Sequence, residues 1–130
     1  MKFVLLALVA AASGLELTKG SWDSAVTGKS VSLEFIAPWC GRCKRMAPDW
    51  NKLMAEFKDS KTALVADVDC TAGGKSLCDE QGVRGFPTLK HGDPNNLEDY
   101  KGGQTHDDLK KCAETNLGPS WSVLTFPVMS

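Results

Sequence analysis

The sequence predicts an α/β fold in which helices cover both faces of one central β-sheet. Segments in which apolar residues alternate, as in strands, follow one another in turn with segments of helical periodicity, and this order is typical of such folds. The length of 130 residues and the apolar fraction of 42% fit one compact domain with a sizeable core. The sequence shows neither an internal repeat nor a low-complexity segment.

The first thirteen residues have the pattern of a signal peptide. Lys2 supplies the basic start, Phe3 to Ala12 is a run of ten uncharged and mostly aliphatic residues, and small residues follow. The run is too short for a membrane span, which needs about 20 apolar residues. The alternative, a buried first strand or helix, would bring Lys2 towards the core. We therefore predict a signal peptide at 1–13, a domain at 14–118 and an irregular tail at 119–130.

The charge balance and the cysteines limit the classes of partner and compartment. Fifteen basic residues face sixteen acidic ones, for a net charge of -1, so we expect neither nucleic acid nor an anionic membrane as a partner. Five cysteines in an exported chain meet an oxidising compartment, where disulfides persist. Their odd number leaves at least one thiol unpaired or bonded to another molecule.

The first predicted elements lead to a strand with two different faces. Leu15 to Leu17 is a short candidate strand, and Trp22 to Val26 is a candidate first helix. From Ser30 to Ala37, apolar residues alternate with a set that includes Glu34, and β-branched and aromatic residues favour a strand. This strand is expected to end at Pro38.

The longest predicted helix begins at the first cysteine pair. From Cys40 to Phe57, apolar residues recur every three or four positions, so one helical face is continuously apolar. Pro48 removes one backbone donor about two turns into the helix and predicts a kink. Thr62 to Val68 follows as a dense apolar run suited to a buried central strand.

The last part of the chain predicts two antiparallel strands and a final helix. Cys70 to Gly82 holds a loop and a short helix. Thr88 to Lys90 and Leu97 to Tyr100 then flank His91 to Asn96, whose Gly, Asp, Pro and Asn content predicts a turn. The final helix, about Thr105 to Glu114, begins with a threonine cap and an acidic first turn.

The segment Trp39-Cys40-Gly41-Arg42-Cys43 carries the strongest chemical signal. A Cys-x-x-Cys pair at the start of a helix, just after a buried strand, places the first sulfur beside backbone N–H groups at the positive end of the helix dipole. Lowering the pKa of a thiol from about 8.5 to about 6 raises its ionised fraction at pH 7 from about 3% to about 90%. The alternatives are an inert disulfide and a structural zinc site. Zinc prefers four protein ligands, and His91 and His106 stand alone in the sequence.

Arg42 lies between the two cysteines and keeps its positive charge at every physiological pH. A nearby cation stabilises the thiolate and hence the reduced pair, which makes the disulfide a stronger oxidant. We therefore expect Arg42 to favour the transfer of disulfides to substrates. The competing interpretation is a solvated arginine with little influence on the sulfurs.

Two sequence blocks resemble the catalytic domains of protein disulfide isomerases. One runs from Glu34 to Lys44 and reads Glu-Phe-Ile-Ala-Pro-Trp-Cys-Gly-Arg-Cys-Lys; the other runs from Gly82 to Leu89 and reads Gly-Val-Arg-Gly-Phe-Pro-Thr-Leu. The resemblance covers about Leu15 to Gly118. It implies the thioredoxin fold, with a central mixed β-sheet flanked by helices on both faces.

The same resemblance implies roles for the residues around the cysteine pair. Cys40 would be the attacking nucleophile and Cys43 the resolving cysteine, with no bound cofactor beyond this redox-active dithiol. The segment Phe86-Pro87 would be a cis-proline segment that faces the pair and binds extended substrate together with Trp39 and Gly41.

An acidic residue and a second cysteine pair also receive roles from the family. An acidic residue on a strand more often lies on a solvated face. The family, however, places one at Glu34, beneath the pair, where a buried carboxylate with a raised pKa can carry the proton of Cys43. Cys70 and Cys78 resemble a pair that implies a structural disulfide, worth about 2.6 kcal/mol in the chain-entropy model. A second redox site is the alternative for these two cysteines.

Several positions depart from the family pattern. Arg42 replaces the usual histidine, Asp67 stands where many relatives carry a lysine near the buried acid, and Asn116 lies near the position of a tuning arginine. Cys112, in the last predicted helix, is expected to be either a buried thiol or a link to another molecule. The final residues, Val128 to Ser130, are not a retention signal of the Lys-Asp-Glu-Leu type.

These features together predict an enzyme that forms or rearranges disulfides in secretory proteins. Its substrates would be unfolded or disulfide-containing proteins, and glutathione or an oxidase protein would exchange electrons with it. We expect it in the lumen of the endoplasmic reticulum, with secretion as the alternative. Two other functions fit the same residues: a module that binds unfolded peptides with secondary redox activity, and a secreted disulfide reductase.

Overall fold

The structure is a computed structural model of the chain, and it describes residues 16–116. The predicted signal peptide and tail lie outside the described residues. Within them, helices and strands follow one another in the predicted order. They are α1 (Lys19–Val26), β1 (Ser30–Ile36), α2 (Gly41–Phe57), β2 (Ala63–Asp69), α3 (Lys75–Glu80), β3 (Thr88–Asp93), β4 (Asn96–Asp99) and α4 (His106–Asn116).

The four strands form one mixed sheet in the order β2-β1-β3-β4. The central strand β1 is parallel to β2 and antiparallel to β3, and β3 is antiparallel to β4. Of the short strand predicted at Leu15 to Leu17, the described residues contain a single parallel bridge from Glu16 to Asp67. The backbone N–H of Leu17 donates a hydrogen bond of 2.8 Å to the carbonyl of Asp67. This bridge extends the sheet by one position beyond β2.

Helices cover both faces of the sheet, as predicted, because each face carries its own apolar core. The side chains of β1 that point to α1 and α3 belong to one cluster: Leu17, Val26, Val31, Leu33, Phe35, Leu64, Ala66, Val68, Leu77 and Cys78. On the opposite face, α2 and α4 pack over a second cluster: Met46, Trp50, Leu53, Ala63, Val65, Leu89, Leu109 and Ala113. Glu34 and Ser32 alternate with the first set along β1, so they point towards α2.

Helix α1 begins three residues earlier than the apolar pattern predicted. The hydroxyl of Thr18 accepts a hydrogen bond of 3.2 Å from the backbone N–H of Ser21, and the Ser21 hydroxyl accepts one of 3.0 Å from the Thr18 backbone N–H. This is a capping box in which Ser21 occupies the position that glutamate or glutamine usually has. The reciprocal bonds fix a first turn that has little apolar character of its own.

The turn between the last two strands is shorter than predicted. Strand β3 continues through His91 and Gly92 to Asp93, and β4 starts at Asn96, so the prediction of a turn over the whole of 91–96 was wrong. The Asp93 side chain accepts a hydrogen bond of 2.8 Å from the Asn95 backbone N–H and closes the turn. Gly92 has a φ of 116°, an angle that glycine adopts without steric strain, and the strand continues through this residue.

Helix α2 runs from Gly41 to Phe57 without interruption at Pro48. It is amphipathic, with Cys43, Met46, Trp50 and Leu53 buried against the sheet. Among residues 16–116, no helix combines the length and apolar character that crossing a membrane requires.

Candidate active site

The sheet topology brings two distant parts of the chain to one edge. Strand β1 ends at Ile36 and leads through a short loop to Cys40, while β3 starts at Thr88 and is antiparallel to β1. Thr88 pairs with Phe35, so the end of β1 and the start of β3 lie side by side. Pro87, just before β3, therefore lies at the same edge of the sheet as the cysteine pair.

Cys40 is the N-cap residue of α2, and its sulfur fills the place of a capping oxygen. Its backbone is extended, with φ −76° and ψ 118°, and its Sγ accepts a hydrogen bond of 3.1 Å from the backbone N–H of Cys43. The backbone N–H of Cys40 donates to the carbonyl of Ala37 at 3.0 Å, which fixes the loop before the helix. The first sulfur thus stands at the positive end of the helix dipole.

The pKa values of the two thiols are shifted in opposite directions, although both cysteines are buried. Burial raises the pKa of the Cys40 thiol, but the Cys43 thiol, the backbone N–H groups of Cys43 and Arg42, and the Arg42 charge together lower it below the ordinary value. Burial raises the pKa of Cys43 to about 12, with the neighbouring Cys40 and Glu34 acting in the same direction. Cys40 therefore loses its proton more readily than Cys43, which keeps its proton at neutral pH.

Two arginines lie beside the pair, and one of them was not singled out from the sequence. Arg42 follows Gly41 in the first turn of α2, and a Cβ placed on Gly41 would lie 3.6 Å from Nη1 of Arg45. Both arginines line an open groove of about 270 Å³, whose other lining residues are Met46, Asp49, Gln104 and Thr105. The sequence could have indicated that Arg45 lies near Arg42, since residues three positions apart lie on the same face of a helix.

An aromatic pair and a cis proline border the cysteines on the other side. The Phe86–Pro87 peptide bond is cis. Phe86 packs against the small cluster of Ala37, Cys40 and Cys43. Its ring meets that of Trp39 edge to face, with centroids 5.6 Å apart and an interplanar angle of 83°. Trp39 is the exposed large apolar residue of the described chain, with 69% of its surface accessible.

Glu34 is buried beneath the pair, with only 3% of its surface accessible. In the sheet it lies between Asp67 on β2 and Leu89 on β3. Burial, followed by the hydrogen bond and the charge of Asp67 and then by Cys40, raises the pKa of Glu34 well above its ordinary value. The side chain is therefore a neutral carboxylic acid at neutral pH.

Cys70 and Cys78 form a disulfide that joins the end of β2 to α3. The S–S distance is 1.95 Å and the Cα atoms are 5.7 Å apart. The backbone N–H of Cys70 donates a hydrogen bond of 2.9 Å to the carbonyl of Ile36, so this loop is also tied to the end of β1. Cys78 belongs to α3, and its side chain is buried in the core between the sheet and this helix.

The remaining residues noted in the sequence lie away from the pair. Cys112 is half-buried on α4. The pKa of Tyr100 is raised first by burial and then by charge repulsion from Cys112. Asn116 is the last residue of α4. Across residues 16–116, no group of three or more His, Cys, Asp and Glu side chains is placed to hold a metal ion.

The chain resembles curated proteins over most of its length. It matches the family described as Thioredoxin over residues 13–115. It is 52% identical over 118 residues to the protein disulfide-isomerase-like protein EhSep2 of Emiliania huxleyi, which covers 88% of this chain and 53% of that protein. It is 36% identical over 116 residues to protein disulfide isomerase-like 2-1 of Oryza sativa subsp. japonica, covering 87% of this chain and 31% of the relative. The chain thus spans about half the length of the first relative and about a third of the second.

Solved structures show the same architecture. The solution structure of the first thioredoxin domain of mouse protein disulfide-isomerase A4 matches with a TM-score of 0.64 and 32% identity, covering 78% of this chain and 71% of that one. The J-Trx1 fragment of ERdj5 matches with a TM-score of 0.68 and 25% identity, covering 79% and 51%. These likenesses confirm the thioredoxin fold that the sequence predicted.

Proposed function

Because this chain belongs to the thioredoxin family and has protein disulfide isomerases among its relatives, we propose that it is a thiol-disulfide oxidoreductase that forms or rearranges disulfides in secretory proteins. The reactive groups are Cys40 and Cys43. The observation that carries the proposal is the hydrogen bond of 3.1 Å from the Cys43 backbone N–H to the Cys40 sulfur, at the start of α2. A donor aimed at a sulfur stabilises its thiolate, which is the attacking species in disulfide exchange.

The proposed reaction divides the work between the two sulfurs. The Cys40 thiolate attacks a substrate disulfide and forms a mixed disulfide, while one substrate sulfur leaves as a thiolate. Cys43 then loses its proton and attacks the Cys40 sulfur, which releases the second substrate sulfur. In the opposite direction a substrate thiolate attacks Cys40 and Cys43 is the leaving group. The proposed role of Glu34 is to exchange the Cys43 proton in either direction, and the charge interactions of this buried carboxyl with Cys40 and Cys43 support it.

The substrate site proposed beside the pair is built from Trp39, Gly41, Phe86 and Pro87. An exposed indole, held edge to face against Phe86, offers a rigid apolar surface to an extended peptide. Gly41 directly follows the nucleophile, and Phe86, just before Pro87, packs against the cluster that contains both cysteines. The proposed substrates are therefore unfolded or disulfide-containing proteins.

The proposed location is the secretory pathway, with the lumen of the endoplasmic reticulum as the working compartment. Two features support it: residues 1–13 have the pattern of a signal peptide, and the Cys70–Cys78 bridge suits an oxidising compartment. In this setting glutathione or an oxidase protein would restore the state of the Cys40–Cys43 pair.

Reduction of insulin and reactivation of scrambled ribonuclease test the enzymatic proposal together. We expect activity in both assays, and its loss in Cys40→Ser. Cys43→Ser should instead accumulate a mixed disulfide between Cys40 and substrate. Cys112→Ser is the matched control, because it removes a thiol on α4 and leaves the pair intact. A wild-type protein inactive in both assays contradicts the proposal.

The exposure of Trp39 favours one second candidate, a module that binds unfolded peptides. Such a module needs the Trp39 and Pro87 surface but not the thiolate. The Cys40→Ser variant separates the two functions when peptide binding and turnover are measured on the same sample. Binding without any turnover in the wild-type protein would support the binding module.

A further inference from the structure

Two carboxyl groups, one on the buried residue Glu34 and one on the partly buried residue Asp67, face each other below the cysteine pair. Glu34 on β1 and Asp67 on β2 are direct partners in the parallel register, so their side chains project from the same face of the sheet. The two groups lie within hydrogen-bonding reach. One oxygen of each group, Glu34 Oε2 and Asp67 Oδ1, is buried and has no hydrogen-bond partner among the described residues. The carboxyl-to-carboxyl contact thus joins the two groups, and the Trp50 indole is a further polar neighbour of Asp67.

Two carboxylates this close cannot both be ionised at low cost, and one proton between them removes the repulsion. Burial raises the pKa of Asp67 to a smaller extent than that of Glu34, and the hydrogen bond from Glu34 and the nearby Trp50 indole act to lower it. Glu16 and Asp69 also face Asp67, and Cys40 and Cys43 face Glu34, so the titratable neighbours carry negative charge when ionised. Asp67 is therefore the ionised member and Glu34 the protonated one.

We propose that Asp67 is a positioning residue for proton transfer, and that its carboxylate holds on Glu34 the proton that Cys43 receives when the Cys40–Cys43 disulfide opens. This inference rests on the proposed function and adds the proton-transfer step to it. A substrate thiolate attacks the Cys40 sulfur, the bond between Cys40 and Cys43 breaks, and Cys43 leaves with the bonding electron pair. Glu34 then gives its proton to the Cys43 sulfur and takes up another from solvent, because two adjacent carboxylates do not both stay ionised at low cost.

The remaining step completes the oxidation of substrate. A second substrate thiol loses its proton to solvent and attacks the substrate sulfur of the mixed disulfide, and Cys40 leaves as the stabilised thiolate. The substrate dithiol has lost two electrons and the cysteine pair has gained them. The reverse reaction needs Glu34 as a base, and an adjacent Asp67 carboxylate opposes the loss of its proton. At neutral pH the pair of carboxyls thus keeps Glu34 in the acid form that opening of the disulfide uses, and leaves little of the base form that attack by Cys43 uses.

Carboxyl titration by NMR tests this arrangement without requiring turnover. The wild-type protein, labelled with ¹³C at the Glu and Asp carboxyl carbons, is titrated in the disulfide form, and the Glu34 signal is identified by its loss in Glu34→Gln. Asp67→Asn should lower the Glu34 midpoint by about one pH unit or more, because it removes the adjacent negative charge. Asp67→Glu, which keeps the charge, should restore a midpoint near that of the wild-type protein. Asp23→Asn, at an exposed position of α1, is the matched control.

Kinetics on the same variants test the proton transfer itself. The rate at which the protein oxidises a reduced dithiol peptide should decline at high pH. In Asp67→Asn this decline should begin at a lower pH than in the wild type, and the difference should equal the shift of the Glu34 midpoint. Attack of Cys43 on a preformed Cys40 mixed disulfide should be several-fold faster at pH 7 in this variant. Asp67→Ser is a second neutral variant in case Asp67→Asn does not fold.

The outcomes separate this inference from the proposed function. If the wild-type protein is active, and both neutral variants have the same Glu34 midpoint and the same pH profiles as the wild type, the role of Asp67 alone is overturned. A wild-type protein that oxidises no dithiol overturns the proposed function, whatever the titration shows.

Discussion

The backbone N–H of Cys43 donates a hydrogen bond of 3.1 Å to the sulfur of Cys40. One residue thereby helps to stabilise the thiolate of the other, while its own thiol keeps its proton. The asymmetry follows from position: Cys40 caps the helix from outside, and Cys43 lies inside the first turn and faces the buried Glu34. A nucleophile and a protonated partner result from two identical side chains three residues apart.

This asymmetry predicts selective modification of Cys40. In the reduced protein, alkylation of Cys40 by iodoacetamide should have a midpoint below the value of about 8.5 that is usual for a free thiol. Cys43 should react only at much higher pH. Quenched time courses followed by mass spectrometry of the peptides measure both rates, and the protein unfolded in urea is the reference. Equal midpoints for the two cysteines in the folded protein would contradict the structure.

Arg42 should raise the reduction potential of the pair. Its charge and its backbone N–H both help to lower the pKa of Cys40. Arg42→Gln removes the charge, and Arg42→Pro removes the N–H as well at a helix position that tolerates proline. We expect the potential against glutathione to fall by about 10 to 30 mV in the first variant and further in the second. Arg45→Gln is the control for loss of a nearby arginine, and unchanged potentials in both Arg42 variants would remove Arg42 from the mechanism.

The sequence predicted the parts of this site that depend on local order along the chain. A buried strand followed by Cys-x-x-Cys and an amphipathic helix predicted that the Cys40 sulfur lies beside the backbone N–H groups at the start of the helix, because this contact needs only the first helical turn. The same logic did not reveal the contact between Glu34 and Asp67, which belong to strands separated by α2. Strand register is set by the whole core, and no short segment contains that information.

The family resemblance supplied what periodicity could not. From the sequence alone a cis bond before Pro87 is improbable, at about 5% of such bonds. The structure has this bond in the cis form, and Phe86 packs against the cysteine cluster. The start of α1 was missed for a different reason, since serine rather than glutamate completes the capping box with Thr18.

Trp39 should contribute to peptide binding and little to stability. It is 69% exposed and has one aromatic neighbour, Phe86. Trp39→Ala should weaken binding of an unfolded peptide about five- to tenfold, because the exposed indole offers most of the apolar surface at this edge. Reaction with dithiothreitol should be unchanged, and Trp39→Phe should recover part of the affinity. Equal peptide affinity in the wild type and in Trp39→Ala would place the substrate elsewhere.

The Cys70–Cys78 disulfide should contribute to stability and not to turnover. The bridge closes a short loop and leads into α3, and Cys78 is buried in the core. Replacing both cysteines by alanine should lower the free energy of unfolding by about 2 to 3 kcal/mol, as loop closure in the unfolded chain predicts. Urea unfolding measures this loss, and insulin reduction at 25 °C checks that activity per folded molecule is retained. A fall in activity without loss of stability would favour the second redox site instead.

Glu34 should make the stability of the protein depend on pH. Its pKa is raised in the folded state, first by burial, so the folded protein holds a proton that the unfolded chain releases above its ordinary value of about 4.3. Stability is therefore full below that pH and falls as pH rises towards the folded value, by up to about 1.4 kcal/mol per pH unit. Glu34→Gln does not titrate and should lose less stability between pH 4.5 and 7.5 than the wild type, by about 2 kcal/mol or more.

Urea unfolding of the disulfide form at these two pH values measures the difference, because the Cys40 and Cys43 thiols do not titrate in that form. Glu98→Gln, at an exposed position on β4, is the matched control and should follow the wild-type curve. A constant offset between Glu34→Gln and the wild type at every pH would mean that the amide packs differently but that the carboxyl does not hold its proton. A difference that grows with pH means that the wild-type fold keeps Glu34 in its acid form, which is the form that can protonate Cys43.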